Sequence, residues 1–136
     1  MAAGEMGGNG SGRFDHAANV AESSPAALFA VIWKALVDLL GTAASAAIVR
    51  RAARHAESES PELVELVIVR EDLAYRYALP RSWAHQGERG HGALRVLAGE
   101  LGRLLVELTG TVVVRRLEQL PEVRTHGLVF RAKEVS

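Results

Sequence analysis

The stretch "SPAALFAVIWKALVDLLGTAASAAIVRRAARHA", residues 24–56, decides the fold. The Ser24 hydroxyl is suited to accept from the free amides of a helix start, and Pro25 gives up only an N–H that has no partner in a first turn. A helix is therefore predicted to begin at this pair. Phe29, Ile32, Trp33, Leu36, Leu40, Ala43, Ala47 and Ile48 recur at steps of three and four, which draws a wide apolar stripe along it. Unbroken to Ala56, such a helix would be about 48 Å long at about 1.5 Å per residue, against a radius of gyration near 13 Å for a domain of this size. Either Gly41 bends it or part of it projects beyond the domain.

Residues 26–49 also resemble a membrane span with a basic flank, since Arg50, Arg51 and Arg54 follow directly. Lys34 and Asp38 argue against that reading. They lie one turn apart on a face continued by Gly41, Thr42 and Ser45, and each charge costs about 2.5 to 3.5 kcal/mol at a bilayer centre. No span is expected, because the rest of the chain needs this apolar surface to complete a core.

Outward from the helix, "ESESP" at residues 57–61 is a break, because the residue before a proline is pushed out of helical conformation. In "LVELVIVREDLAYRYALP", Leu66 and Ile68 alternate with Val67 and Val69. Leu73, Tyr75, Tyr77 and Leu79 then alternate with Ala74, Arg76 and Ala78. This predicts an antiparallel β-hairpin turning at residues 70–72, with Leu73 on the face of the tyrosines. "RSWAHQGERGHG", residues 81–92, is predicted as a loop from its three glycines. A second amphipathic helix is expected from Gly92 or Ala93, with Leu94, Leu97, Leu101, Leu104, Leu105 and Leu108 on its stripe and Gly110 just past its end. In residues 111–120 the valine run favours a strand while Val113, Leu117 and Leu120 fit a helix, and the balance tips to a short helix ending before Pro121. "GLVFRA", residues 127–132, suits a late edge strand.

Composition narrows the function classes. With 136 residues, 49% of them hydrophobic, the chain suits one domain. Sixteen basic and sixteen acidic residues leave a formal net charge of zero, so no overall field draws it to nucleic acid or an anionic membrane. The absence of Cys excludes disulfides, thiolate catalysis and Cys-ligated metals. Lys34 and Lys133 are the only lysines beside many arginines, and Ala is abundant, a bias that fits a GC-rich bacterial genome. Residues 1–23, rich in Gly, Asn, Ser and Ala and without a secretory h-region, read as a flexible tail, and the cytoplasm is the expected compartment. Residues 24–132 read as a single α+β domain and residues 133–136 as a short C-terminal tail.

Candidate chemistry is sparse. Arg50 and Arg54 in the first helix, and Arg115 and Arg116 after "GTVVV", form an anion site only if the fold makes them converge. Neighbouring helical residues point about 100° apart, and cations at a helix C-terminus are favoured without any ligand. His85, Glu88 and His91 carry donor types of a two-His, one-carboxylate metal site, but a glycine-rich loop leaves them unoriented and no metal is expected. The glycines lack the Gly-Lys-Ser/Thr ending of a P-loop. Ser45, Ser82, Thr42 and Thr109 stand in no nucleophile frame, and Asp38, Glu65 and Glu100 are isolated carboxylates. Tyr75, Arg76 and Tyr77 fit a half-buried strand better than a stacking surface for single-stranded nucleic acid. No catalytic residue and no cofactor are expected.

The expected fold is α+β: a long N-terminal helix, an antiparallel hairpin, a second amphipathic helix and a short C-terminal helix or strand. The expected function is a non-catalytic bacterial interaction or regulatory module that associates with itself as a homodimer, or with another protein, through its first helix. The expected interface is a face of Gly41, Thr42, Ser45, Val49 and Ala52, flat enough for two backbones to approach. The alternative is a small-ligand sensor whose pocket is lined by Trp33, Tyr75, Tyr77 and Trp83.

Overall fold

Helix α1, Pro25–Leu40, begins where the Ser-Pro pair places it: the Ser24 hydroxyl accepts from the Ala27 amide at 3.2 Å. It ends at Gly41, whose φ of 89° and ψ of 164° lie in a region essentially reserved for glycine. Helix α2, Thr42–Ala56, starts at the next residue. Gly41 serves both helices, its N–H donating to the Val37 carbonyl at 2.8 Å and its carbonyl accepting from the Ser45 amide at 3.1 Å. The bend allowed by sequence is thus a complete break. A computed structural model gives these positions and describes residues 24–84 and 88–130.

The break resets the helical phase. Leu28, Phe29, Ile32 and Leu36 face the core from α1, but in α2 the buried set is Ser45, Ala46, Ile48, Val49, Ala52, Ala53 and Ala56. Ala43 and Ala47, expected on the buried stripe, are exposed. The expected dimer face is also corrected: Ser45, Val49 and Ala52 are 0% exposed and pack inside their own chain. The small side chains that suggested close approach of two copies allow close approach of α2 to the chain's own long helix, its main packing partner. Gly41 is exposed and Thr42 lies at the margin.

After α2, a 3-10 turn over Pro61–Glu65 leads into the hairpin of β1, Val67–Glu71, and β2, Ala74–Ala78. Ile68 pairs with Tyr77 and Arg70 with Tyr75, so Ile68 and both tyrosines point toward the helices. Asp72 supplies the positive φ of the two-residue turn, at 56°. Leu73 is the other turn residue and is 91% exposed, which corrects its placement on the inner face.

Residues 81–84 and 88–92 are also more regular than the glycines suggest. Arg81–Ala84 form a second 3-10 turn, and helix α3, Glu88–Thr109, begins several residues before the predicted start. Gly90 explains the difference: a Cβ there would lie 3.0 Å from Pro25 Cγ and 3.4 Å from Trp83 Cδ1. The residue that weakens helix propensity is the one that lets the start of α1 and Trp83 close over α3. Leu94, Leu97, Leu101, Leu104 and Leu105 are buried as expected, while Leu108 is exposed near the end. Gly110 follows with a φ of 77°.

The ambiguous segment is helical: α4 spans Val112–Glu118 and α5 spans Pro121–His126. Gly127, with a φ of 65°, ends α5, and the Leu128 amide turns back to the Val123 carbonyl at 3.2 Å. Residues 128–130 then run without strand pairing, which corrects the edge-strand expectation for its described part; Arg131 and Ala132 lie outside the described residues. Phe130 is fully buried instead, because its backbone lies directly on Gly102 in α3. Its amide donates to Glu118 Oε2 at 3.3 Å.

The chain is therefore α+β, with five helices and a two-stranded antiparallel sheet among the described residues. One apolar core joins all three long helices to the hairpin, Trp83 and the C-terminal helices. No helix is long and apolar enough to cross a membrane among the described residues. The expected tails at residues 1–23 and 133–136 lie outside the described residues.

Two glycines of α3 test the C-terminal packing against each other. A methyl group at Gly102 would overlap the Phe130 backbone, whereas one at Gly99 would meet nothing within 4 Å. Gly102→Ala should lower stability by about 1 to 3 kcal/mol through overpacking, and Gly99→Ala should be neutral or raise it by up to about 1 kcal/mol. Denaturant unfolding reads both, and equal effects would contradict the seating of Phe130.

Candidate functional site

The aromatic residues proposed for a ligand pocket do come together. Phe29 and Trp33, one turn apart on α1, meet the hairpin at Tyr77, with ring centroids 4.8 Å and 5.5 Å away and near-perpendicular planes. Trp83 lies on the other side of Phe29 at 6.2 Å. These separations are those of rings in mutual contact. The rings thus pack on one another between hairpin and helices. Burial raises the Tyr77 phenol above its ordinary pKa. Tyr75 shares the same hairpin face and packs at the edge of the core.

Polar groups around this cluster fasten segments. Trp83, fully buried, donates its indole N–H to Glu62 Oε2 at 2.8 Å, and the Ser82 hydroxyl reaches the same oxygen at 3.3 Å. Glu65, on the same 3-10 turn, accepts from the Arg81 amide at 3.3 Å. Two carboxylates from one turn therefore clamp the next, and this holds Trp83 against Phe29.

Of the four arginines proposed for an anion site, one is engaged within the fold. Arg50 Nη2 donates to the Ile68 carbonyl at 3.0 Å and so ties α2 to β1. Arg54, Arg115 and Arg116 are exposed. Among the described residues α2 packs on α1, α3, the Pro61–Glu65 turn and the hairpin, whereas α4 packs on α1, α3 and α5. Arg54, Arg115 and Arg116 lie in the last turns of their helices, the ordinary place of a cation.

Other chemistry-bearing residues are similarly occupied. The Ser45 hydroxyl donates to the Gly41 carbonyl at 2.7 Å and the Thr109 hydroxyl to the Leu105 carbonyl at 2.7 Å. On the α2–α3 surface Arg103 donates to Glu100 at 2.8 Å, to Glu107 at 3.3 Å and to His55 Nδ1 at 3.2 Å. Glu100, by hydrogen bond and charge, holds the Arg103 guanidinium further in its charged form. Arg cannot accept, so this contact requires His55 Nδ1 to carry a lone pair. Of the three loop residues with metal-ligand chemistry, His85 lies outside the described residues. His91 is helical and its ring stacks on His126 at 5.8 Å. Among the described residues no group of three or more His, Asp or Glu is placed to hold a metal ion.

A different surface stands out. The hairpin's outer face carries Val67, Val69, Ala74 and Ala78, all exposed, and Leu73 projects at its tip. Glu71 and Arg76 form a 2.8 Å ion pair on that face. Sequence alternation attends to the face that is buried and passes over this one. The available signal is the unbroken apolar run "LVIV", residues 66–69, which makes both faces of β1 apolar.

The Trp83 contact gives a direct check. Glu62→Leu leaves a buried indole N–H without its acceptor and should cost about 1 to 3 kcal/mol, whereas Glu62→Gln keeps an acceptor and should retain most of that stability. Denaturant unfolding followed by tryptophan fluorescence separates them, and equal losses would contradict the clamp. Compared with protein-family models, with curated proteins and with solved structures, the chain matches none.

Proposed function

We propose that the protein is a small, non-catalytic bacterial interaction or regulatory module of the cytoplasm that works by associating with itself. The observation that carries this reading is the set of large apolar side chains left at the surface: Val64, Val67, Val69 and Leu73 around the hairpin, and Leu108 and Val112 at the α3–α4 corner. Solvent-facing apolar groups gathered on one element, as Val67, Val69 and Leu73 are on the hairpin, favour an interaction surface. The burial of Ser45, Val49 and Ala52 moves that surface away from α2.

Several features agree with the non-catalytic part. The Glu62, Arg50 and Ser45 side chains are each committed to bonds that fasten neighbouring segments. The alternative of a small-ligand sensor draws no support from the aromatic cluster, whose rings already touch one another. Zero formal net charge agrees with a partner that is neither nucleic acid nor an anionic membrane.

Sedimentation equilibrium at micromolar concentration tests the reading. A reversible monomer–dimer equilibrium is expected, and a strictly monomeric protein across the concentration range would contradict it.

A further inference from the structure

The hairpin has two unequal edges. Its turn is Asp72 and Leu73, with Glu71 opposite Ala74. In a two-residue hairpin the pair flanking the turn is hydrogen-bonded, and bonded and non-bonded pairs alternate from there. The backbone groups of Val67, Val69 and Glu71 thus face those of Ala78, Arg76 and Ala74. Those of Ile68 and Arg70 point outward along the β1 edge, and those of Tyr75 and Tyr77 outward along the β2 edge. The Arg50 contact agrees with this phase, since the carbonyl that it reaches is that of Ile68.

The Arg50 contact also covers part of one edge, the Ile68 carbonyl of β1. A charged side chain lying across a strand's outward carbonyls is a common way to stop further strands from adding. The β2 edge has no such cover: among the described residues no hydrogen bond reaches the outward N–H or C=O of Tyr75 or Tyr77.

We propose that the β2 edge is the self-association site, on which β2 of a second copy adds antiparallel to give a four-stranded sheet. This rests on the self-association reading above and names its surface. Antiparallel pairing of a strand with itself is two-fold symmetric, and the Arg50 side chain on each outer β1 edge then hinders growth of the sheet beyond a dimer.

The outer-face charges select the occupant. Were Arg76 to lie opposite the partner's Arg76, like charges would meet directly. With Tyr75 opposite the partner's Tyr75, Arg76 faces the partner's Ala74, a side chain small enough to pass over. Next to it stands the partner's Glu71, two strands away at about 4.8 Å per strand, within the combined reach of the two side chains. Each copy thus offers Arg76 to the other's Glu71 while keeping its own pair at 2.8 Å.

Reciprocal charge reversal tests this. Glu71 and Arg76 are exposed, so Arg76→Glu and Glu71→Arg should both fold, which far-UV circular dichroism checks. Alone, each variant sets like charges across the interface, and its dimer dissociation constant in sedimentation equilibrium should rise by about tenfold or more. Mixed in equal amounts, the two variants should form a heterodimer, because Glu at position 76 of one then faces Arg at position 71 of the other. An ion pair acting only within one chain predicts no such rescue. Amide exchange of the wild-type protein needs no variant: protection at Tyr75 should rise with protein concentration. A dimeric wild type without rescue, or with both variants still dimeric, or without that protection, overturns the edge pairing and leaves self-association through another surface. A monomeric wild type overturns both.

Discussion

A glycine with a φ of 89° and a ψ of 164° sets the arrangement of everything packed around it. Without Gly41, residues 25–56 would propagate as one helix, since the apolar pattern has no other interruption in that run. Such a rod would present one continuous stripe to a core too small to cover it. Divided at Gly41, it becomes two helices that share one core, and the second turns its alanine-rich face to α3. Gly41 is also a joint with both ends bonded, its N–H to Val37 and its carbonyl to the Ser45 amide and hydroxyl.

Polar chemistry in this fold is mostly fastening. Arg50 joins α2 to the hairpin, Glu62 and Glu65 join the two 3-10 turns, and Glu118 receives the Phe130 amide. Each bond links segments far apart in sequence, at places where regular elements leave backbone or indole groups without internal partners. Arg50 does more than fasten: by lying on the Ile68 carbonyl it makes the two edges of the hairpin different.

Local signals were legible in the sequence. Ser24-Pro25 placed the start of α1, alternation placed the hairpin and its inward tyrosines, and the leucine stripe placed α3 and its buried face. Tertiary contacts decided the rest. The Gly90 region reads as loop from propensity but is helical because Pro25 and Trp83 pack where a side chain would stand. The "GLVF" run has a strand's composition, yet Phe130 is held by Gly102, a contact between segments that no local pattern reports. The misassigned dimer face has the same origin. Small side chains mark close approach of two helices but not which helices, and the phase shift at Gly41 turned Ser45, Val49 and Ala52 to the chain's own core. At the aromatic site, Trp33, Tyr77 and Trp83 meet around Phe29, and residue type does not distinguish rings lining a pocket from rings packed on one another.

The backbone of Gly41 offers the most direct test. A Cβ built there in the L configuration meets nothing within 4 Å, so Gly41→Ala acts through conformation alone. An L-alanine is strained at this φ and ψ by about 1 to 3 kcal/mol, while a D-alanine, introduced by chemical synthesis, adopts it as a mirror-image extended residue. Urea unfolding should therefore show Gly41→Ala destabilised by about that amount and the D-alanine form as stable as the parent or more so. If Gly41→Ala is as stable as the parent, or more stable through a longer helix, then the break does not organise this fold.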